Sequence, residues 1–258
     1  MRSVVVATIL AAAWLGAQSG ERAPLAFEVT SVKPSSPTPP AFAGMRPMPG
    51  GQRYVAAWVP LRLMIRLVYR ITDSQLIGGP AWLDTERWDV EAKAEKPATV
   101  DQLHRMFQTL LADRFALKFH RETRTLPAYA LIVDKGGSRM TVNPGPEPFD
   151  VPLKPAGIGK LLGVHVTMEH LCWFLSQQLN GAVIDKTGLD RSYDFTLAWA
   201  QEPIGPQGPP PPGMEPPQPL DGPTLFTALK EQLGLRLEVQ KGPVEVFVID
   251  HAERPKAN

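Results

Sequence analysis

The chain has little cysteine and no excess of charge of one sign. A single cysteine among 258 residues excludes an internal disulfide. That residue, Cys172, lies in an apolar helical pattern, so we expect a buried, inert thiol rather than a nucleophile. The 27 Lys and Arg residues are balanced by 26 Asp and Glu residues, and no basic stripe stands out. Nucleic acid is therefore not an expected partner.

Long hydrophobic runs are also scarce, and the one near the N-terminus is short for a membrane span. It has the three parts of a signal peptide: Arg2 as the positive region, an apolar stretch over residues 4–15 and a small-x-small site at residues 17–19. We predict a signal peptide over residues 1–19, with a retained N-terminal anchor as the alternative. After cleavage no membrane span is predicted, and we expect the protein in the periplasm or outside the cell.

Proline, in contrast, is abundant, with 28 residues concentrated in three segments. Residues 34–50 are predicted to form an irregular loop, and residues 139–160 a linker between two modules. The third segment, residues 201–223, contains ten prolines and is predicted to be an extended surface insertion. It would serve as a spacer or as a docking strip for an aromatic groove.

The pattern of residues 52–134 is repeated in residues 164–250. Five elements agree in order, spacing and residue type, which chance rarely produces. The sequence therefore predicts an α+β fold of two tandem duplicated β-α-β-α-β-β modules, at residues 26–138 and 161–252. Each module is predicted to be a small sheet covered by two helices.

Helix starts and strand ends are predicted from local patterns. Thr99 or Asp101 is predicted to cap the second helix of the first module. Each module is predicted to close with two short strands that form a hairpin. These strands are residues 116–121 and 128–133 in the first module, and residues 235–237 and 244–249 in the second.

Three arginines, Arg62, Arg66 and Arg70, recur at spacings of four on the first predicted helix and share one stripe. Such a stripe could bind an acidic partner. A solvated helix face is the favoured interpretation.

Residues 185–190 suggest two catalytic motifs, and both interpretations fail. The aspartate motif of P-type pumps requires membrane helices, and the Lys-Thr-Gly motif of penicillin-recognising enzymes requires a Ser-x-x-Lys nucleophile that this chain lacks. A turn in which Asp185 hydrogen-bonds the loop backbone is favoured. Asp185, Lys186, Thr187, Gly188 and Asp190 are kept as candidate binding residues.

Other polar side chains give weaker signals. His165 and His170 flank Glu169, but their separation of five residues does not place both on one helical face, so no metal or cofactor is expected.

Two aspartate pairs, Asp84 with Asp190 and Asp89 with Asp194, recur in both halves. A duplicated carboxylate pair could serve acid–base chemistry. Capping or turn stabilisation common to both halves is favoured, because both copies keep it.

Several motifs together resemble a known family. They are FEVTSVKP at residues 27–34, GGPAWL at 78–83, LLADRF at 110–115, VIDKTGL at 183–189 with YDF at 193–195, and KGPVEV at 241–246. In combination they resemble the large acidobacterial (Solibacter-type) paralogous family of exported proteins with a domain of unknown function. The resemblance covers nearly all of the mature chain and implies export but no activity. Some members are encoded near BlaR-like membrane metallopeptidases, which implies envelope sensing.

A looser resemblance concerns architecture. VTMEHL at residues 166–171 and LKEQLGLRL at 229–237 are similar in pattern to the short N-terminal domains of secretins and TonB-dependent receptors. Those domains are periplasmic protein-interaction modules, and convergent packing is the alternative explanation.

Three functions are consistent with these patterns. The favoured one is an exported, non-enzymatic protein-interaction or envelope-sensing module with an envelope protein partner. The second is an envelope hydrolase, in which Asp185, Lys186 and Asp190 or the paired aspartates would converge in a concave pocket. The third is a small-molecule sensor, which would have a dry apolar pocket of about 300 Å3 or more between the modules. No oligomeric state is predicted.

Overall fold

The computed structural model describes residues 25–200 and 222–255. The predicted signal peptide and most of the predicted Pro-rich insertion lie outside the described residues. Within the described part, five helices and three four-stranded sheets form a mixed α/β fold. A fold that mixes helices and strands was predicted from the sequence. No helix in this part is long and apolar enough to cross a membrane.

The elements have the following bounds. The helices are α1 (Leu61–Val68), α2 (Trp82–Thr85), α3 (Val100–Phe115), α4 (Met168–Leu179) and α5 (Leu225–Ala228), with a π-helical turn over Leu229–Leu233 after α5. The strands are β1 (Val29–Pro34), β2 (Gly44–Pro47), β3 (Arg53–Val59), β4 (Leu76–Gly78), β5 (Trp88–Lys93), β6 (Lys118–Val133), β7 (Thr141–Val142), β8 (Leu153–Pro155), β9 (Lys160–Val166), β10 (Ala182–Asp185), β11 (Tyr193–Ala198) and β12 (Leu235–His251).

The first sheet has the strand order β1-β5-β3-β2 and packs against α1 and α3. Its strands alternate buried and exposed side chains, so one face joins the core. The core side of α3 includes Phe107 and Phe115, both fully buried. The Pro-rich segment 34–50 is not wholly irregular as predicted, because β2 lies within it and pairs with β3.

Helix α3 begins after Thr99, one of the two N-caps predicted from the sequence, and this cap is a capping box. Thr99 is the N-cap, its hydroxyl accepts a hydrogen bond from the Gln102 backbone N–H at 3.3 Å, and the Gln102 side chain accepts from the Thr99 N–H at 3.0 Å. Trp82 and Leu83 lie in the short helix α2. The Leu83 N–H donates to the Pro80 carbonyl oxygen at 3.1 Å, so Pro80 starts a helical turn there.

The third sheet has the strand order β7-β11-β9-β8 and packs against α4 and the π-helical turn. Two of its strands, β7 and β8, come from residues 139–160, which were predicted to be a linker. The linker prediction is wrong for these strands, because backbone pairing with β9 and β11 fixes them in the sheet.

The central sheet has the order β10-β6-β12-β4 and joins the two halves of the chain. Strands β6 and β12 pair antiparallel from Leu235 with Val133 to His251 with Lys118. Both predicted hairpins are therefore wrong. Pro127 and Pro243 each lie where their strand has no outer neighbour, and proline is tolerated at such positions.

Candidate functional site

A polar cleft of about 380 Å3 opens where the end of α1 meets α3, the start of α4 and the central sheet. We call it the Arg70 cleft. Its charged lining residues are three arginines and three carboxylates from five different segments. They are Arg70, Arg105, Arg121, Asp101, Glu169 and Glu245.

Arg70 ends helix α1 in a left-handed backbone conformation, with φ of 53°. Its N–H donates to the Leu67 carbonyl at 3.4 Å, and the Ile71 N–H donates to the Arg66 carbonyl at 3.0 Å. This is the Schellman arrangement, in which glycine is the usual residue. An arginine there costs roughly 1–2 kcal/mol of backbone strain. The side chain must therefore contribute something that glycine cannot.

The Arg70 guanidinium bridges the two halves of the chain. It is ion-paired with Asp101 on α3 and lies 3.6 Å from the Glu169 carboxylate on α4. The Arg70 side chain is only 11% exposed, and its buried Nε has no hydrogen-bond partner within the described residues. A nearly buried cation between two carboxylates gives the cleft a fixed, polar floor.

Two buried histidines neighbour this cation and are neutral at pH 7. Burial, followed by the charge of Arg70, lowers the pKa of His104 to about 3 and that of His170 to about 4. His104 Nε2 shares a hydrogen bond of 3.1 Å with the Tyr54 hydroxyl, whose pKa is raised by burial. His104 Nδ1 has no partner within the described residues. A histidine with so low a pKa is a poor general base at neutral pH.

The remaining charges of the cleft differ in how far they are paired. Arg121 lies 3.3 Å from Glu245 and stacks over the Phe247 ring, 4.9 Å from its centroid. Arg105, in contrast, has no carboxylate partner within the described part of the chain. Glu169 is 78% exposed and reaches Arg70 only at 3.6 Å.

One more carboxyl group lies near this region. Burial, followed by repulsion from Asp101, raises the pKa of Glu147.

Arg62 and Arg66 do not form a solvated face with Arg70, so that favoured interpretation is wrong. Arg62 pairs with Asp84 at 2.7 Å, and its side chain is 18% exposed. It also donates to two carbonyl oxygens in β4. Arg66 is 23% exposed and lies 3.4 Å from Asp73. These two guanidinium groups fasten α1 to the segment that follows it, and only Arg70 of the stripe lines the cleft.

The turn predicted at residues 185–188 is confirmed. The Asp185 carboxylate accepts from the Thr187 N–H at 2.9 Å and from the Thr187 hydroxyl at 2.8 Å. Gly188 has φ of 69°, and the Lys186 ammonium donates to the Gln240 side chain at 3.0 Å. No hydrogen bond or ion pair joins Asp185, Lys186 and Asp190 within the described residues. Their assignment as binding residues stays a prediction.

Asp89 and Asp194 each stabilise a strand irregularity by accepting a backbone hydrogen bond, which is a structural role of the kind favoured from the sequence. Asp89 accepts from the Trp58 N–H at 2.9 Å, and Asp194 accepts from the His165 N–H at 2.8 Å. Trp58 and His165 have φ of 58° and 55° at irregularities of the strand that precedes a helix. Asn143 and the His165 N–H lower the pKa of Asp194. Both carboxylates therefore already accept hydrogen bonds from the backbone.

The other aspartate pair has no such shared role. Asp84 pairs with Arg62, while Asp190 is exposed.

A second cleft, also of about 380 Å3, lies beside Asn180 and is lined mainly by apolar groups. Leu126 and Tyr129 come from β6, while Leu179 and Val239 come from the second half. Its volume exceeds the 300 Å3 or so expected for the pocket of a small-molecule sensor. It holds no arginine and no carboxylate in its lining.

A family model described as "Protein of unknown function (DUF3738)" matches residues 62–252. The chain belongs to this family, since the match covers most of its length. The lining of the Arg70 cleft lies within the matched residues. No curated protein matches the chain, and no solved structure does. The predicted domain of unknown function is thus confirmed, while the Solibacter-type and secretin-like resemblances stay predictions.

Proposed function

We propose that this protein is an exported, non-enzymatic sensing module that binds a small polar solute in the Arg70 cleft. The observation that carries this proposal is Arg70 itself, a nearly buried cation held in a strained backbone conformation on the floor of the cleft. Residues in such conformations cluster at functional sites, where the surrounding structure maintains them.

The dimensions and chemistry of the cleft support a small ligand. A volume of about 380 Å3 falls within the range of small-molecule sites. The lining offers guanidinium donors, carboxylate acceptors and the amides of Gln75 and Gln108. Such convergent polar groups recognise a polar solute by hydrogen bonds and charge.

Binding without catalysis is favoured by the state of the titratable groups. His104 is neutral with a pKa of about 3, far from the range useful for proton transfer at neutral pH. Asp101 is ion-paired with Arg70. The carboxylates of Asp89, Asp185 and Asp194 each accept a hydrogen bond from a backbone N–H. The hydrolase alternative gains no support from these contacts.

We also propose that the two halves are duplicated copies of one module, each with three strands, a helix, two strands, a helix and one long strand in this order, apart from the short helix α2. The strand orders β1-β5-β3-β2 and β7-β11-β9-β8 correspond position by position. In the central sheet, β4 pairs parallel with β12, and β10 pairs parallel with β6. Each short strand therefore joins the long strand of the other half, which supports two interlocked copies rather than independent tandem modules.

Matching backbone irregularities support the same proposal. Trp58 and His165 have similar positive φ and similar aspartate acceptors. Arg70 and Asn180, with φ of 53° and 47°, end the first helix of each half. The polar cleft beside Arg70 and the apolar cleft beside Asn180 then occupy corresponding places in the two copies. The residues that line this place have become polar in one copy and apolar in the other.

Export rests on the signal-peptide pattern of residues 1–19, and periplasmic location is proposed with it. An envelope protein partner that responds to the solute-bound state also stays a proposal from the sequence, together with the likeness to secretin N-terminal domains.

The test is a solute screen on the signal-cleaved protein and on two variants. Arg70→Gly removes the guanidinium and suits the left-handed backbone, so we expect it to fold. We expect at least one small polar solute to raise the Tm of the wild type by about 2 °C or more, and Arg70→Gly to lose that shift. Val239→Ser, in the apolar cleft at a position 79% exposed, should keep it.

Two results would contradict the proposal. One is a screen of amino acids, dipeptides, sugars, carboxylates and phosphate in which none changes Tm. The other is a folded Arg70→Gly variant that binds as tightly as the wild type by calorimetry.

A further inference from the structure

The charged groups of the Arg70 cleft divide into those that are paired and those that are free to meet a ligand. Asp101 and Arg105 are four residues apart on α3, a spacing at which such side chains usually pair. The Asp101 carboxylate is instead engaged by Arg70. Arg105 is therefore exposed on the rim of the cleft without a carboxylate partner among the described residues.

Glu169 is the corresponding available anion. It lies in the first turn of α4, where the helix dipole favours a carboxylate. The carboxylate is 78% exposed and 3.6 Å from Arg70, whose guanidinium makes its closer ion pair with Asp101. Glu169 can therefore accept hydrogen bonds from a second cation.

The lining as a whole is neutral, with three arginines against three carboxylates. A ligand with a single charge would pair with Arg105 or with Glu169, and it would leave either Arg105 without a carboxylate or Glu169 with Arg70 alone, 3.6 Å away. A ligand that carries both charges satisfies both. Tyr69 and Phe247 belong to the same lining, and Phe247 is buried beneath the Arg121 guanidinium.

We propose that the solute bound in the Arg70 cleft is a zwitterion, an α-amino acid or a short peptide, with its carboxylate at Arg105 and its ammonium at Glu169. This inference rests on the function proposed above. Arg70 and Asp101 form the fixed floor, and Arg105 and Glu169 select the two ends of the ligand.

Calorimetry at pH 7 with three forms of each of two probes tests the charge requirement. The probes are L-leucine and the dipeptide alanyl-leucine, each as the zwitterion, as the C-terminal amide and as the N-acetyl derivative. We expect the better zwitterion to bind at least about tenfold more tightly than either of its blocked forms, because each blocked form loses one of the two charge contacts.

Two variants assign the ends of the ligand. Arg105→Gln should remove the preference for the free carboxylate, so that the amide binds as well as the zwitterion. Glu169→Gln should remove the preference for the free ammonium, so that the N-acetyl form binds as well as the zwitterion. Arg53→Gln and Glu91→Gln, an exposed pair 3.6 Å apart outside the cleft lining, are matched controls and should leave all three affinities unchanged.

The outcomes separate the two proposals. If a blocked form binds the wild type as tightly as the zwitterion, or if only a sugar or phosphate binds, the zwitterion assignment is wrong and the cleft remains a binding site. The zwitterion assignment is also wrong if Arg105→Gln and Glu169→Gln leave the preferences intact. If no probe and no screened solute binds, both proposals fail.

Discussion

Two buried histidines make the stability of this molecule depend on pH. His104 and His170 are held neutral by burial and by the positive charge of Arg70. Their folded pKa values of about 3 and about 4 lie below the ordinary value near 6.5. The unfolded chain therefore takes up protons first as the pH falls.

The expected result is an acid-sensitive fold. The stabilisation from the neutral histidines is complete above about pH 6.5 and declines as the pH falls towards 4, by roughly 3 kcal/mol for His104 alone. Urea unfolding between pH 8 and pH 4 measures this slope. His104→Gln should lower stability at pH 7 but flatten the slope.

The control for this prediction is His251→Gln, which removes an exposed histidine paired with Glu253. It should keep the slope of the wild type. An equal slope in wild type and His104→Gln would contradict the assignment.

The cleft residues were only partly predictable from the sequence. Arg70 was found through its spacing from Arg62 and Arg66, but its role differs from theirs because it alone lies at the left-handed end of α1. Arg105, Arg121 and Glu245 gave no local signal. They reach one cleft because α3, β6 and β12 pack together, and no single segment encodes that packing.

At the scale of elements, the ends of the helices depend on special backbone positions. Gly234, with φ of 67°, lies between the π-helical turn and β12. A Cβ at this position would collide with the Gly137 carbonyl oxygen. The Gly234 carbonyl accepts from the Asp134 N–H at 2.9 Å, so the backbone there is held on both sides.

Gly234→Ala should therefore lower the free energy of unfolding by more than the penalty for a left-handed backbone alone. We expect a loss of about 2 kcal/mol or more in the free energy of unfolding, from the left-handed backbone and the collision together. Gly188→Ala is a matched control, since its φ is 69° and nothing lies within 4 Å of the added Cβ. It should lose only about 1 kcal/mol. If urea unfolding shows equal losses of stability in the two variants, the prediction is wrong, because the structure then relieves the collision at Gly234 without a loss of stability.

Element types followed from local patterns more reliably than strand lengths did. The Thr99 cap, the α1 and α3 helices and the Asp185 turn were predictable, because each depends on residues within a few positions of one another. The 16-residue strand β6 was not, because pairing with β12 rather than local sequence keeps it extended through Pro127.

At the scale of the whole molecule, the two halves share their cores. Phe247 and Ile249 of β12 belong to the core of the first half, while Leu131 of β6 belongs to the core of the second. Burial of such side chains contributes about 1.5–3 kcal/mol each. Neither half keeps these contacts without the other.

The expected consequence is that residues 25–138 do not fold alone. That fragment lacks β12, so β4 and β6 lose their pairing and the first core loses two buried side chains. Circular dichroism should show no cooperative thermal transition for the fragment, and addition of residues 139–258 should restore one. A cooperative melt of the isolated fragment near that of the intact protein would instead support independent tandem modules.

The sequence by itself determined the mixed α/β character, most helices, and the caps and turns. Its motifs also indicated a domain of unknown function. These features depend on periodicity and on contacts between near neighbours. Only the tertiary structure decided that β6 and β12 form one ribbon, that each half completes the core of the other, and that Arg70, Arg105 and Glu169 share a cleft. The physical reason is that strand pairing and ion pairs between residues far apart in the chain depend on packing, which no local pattern encodes.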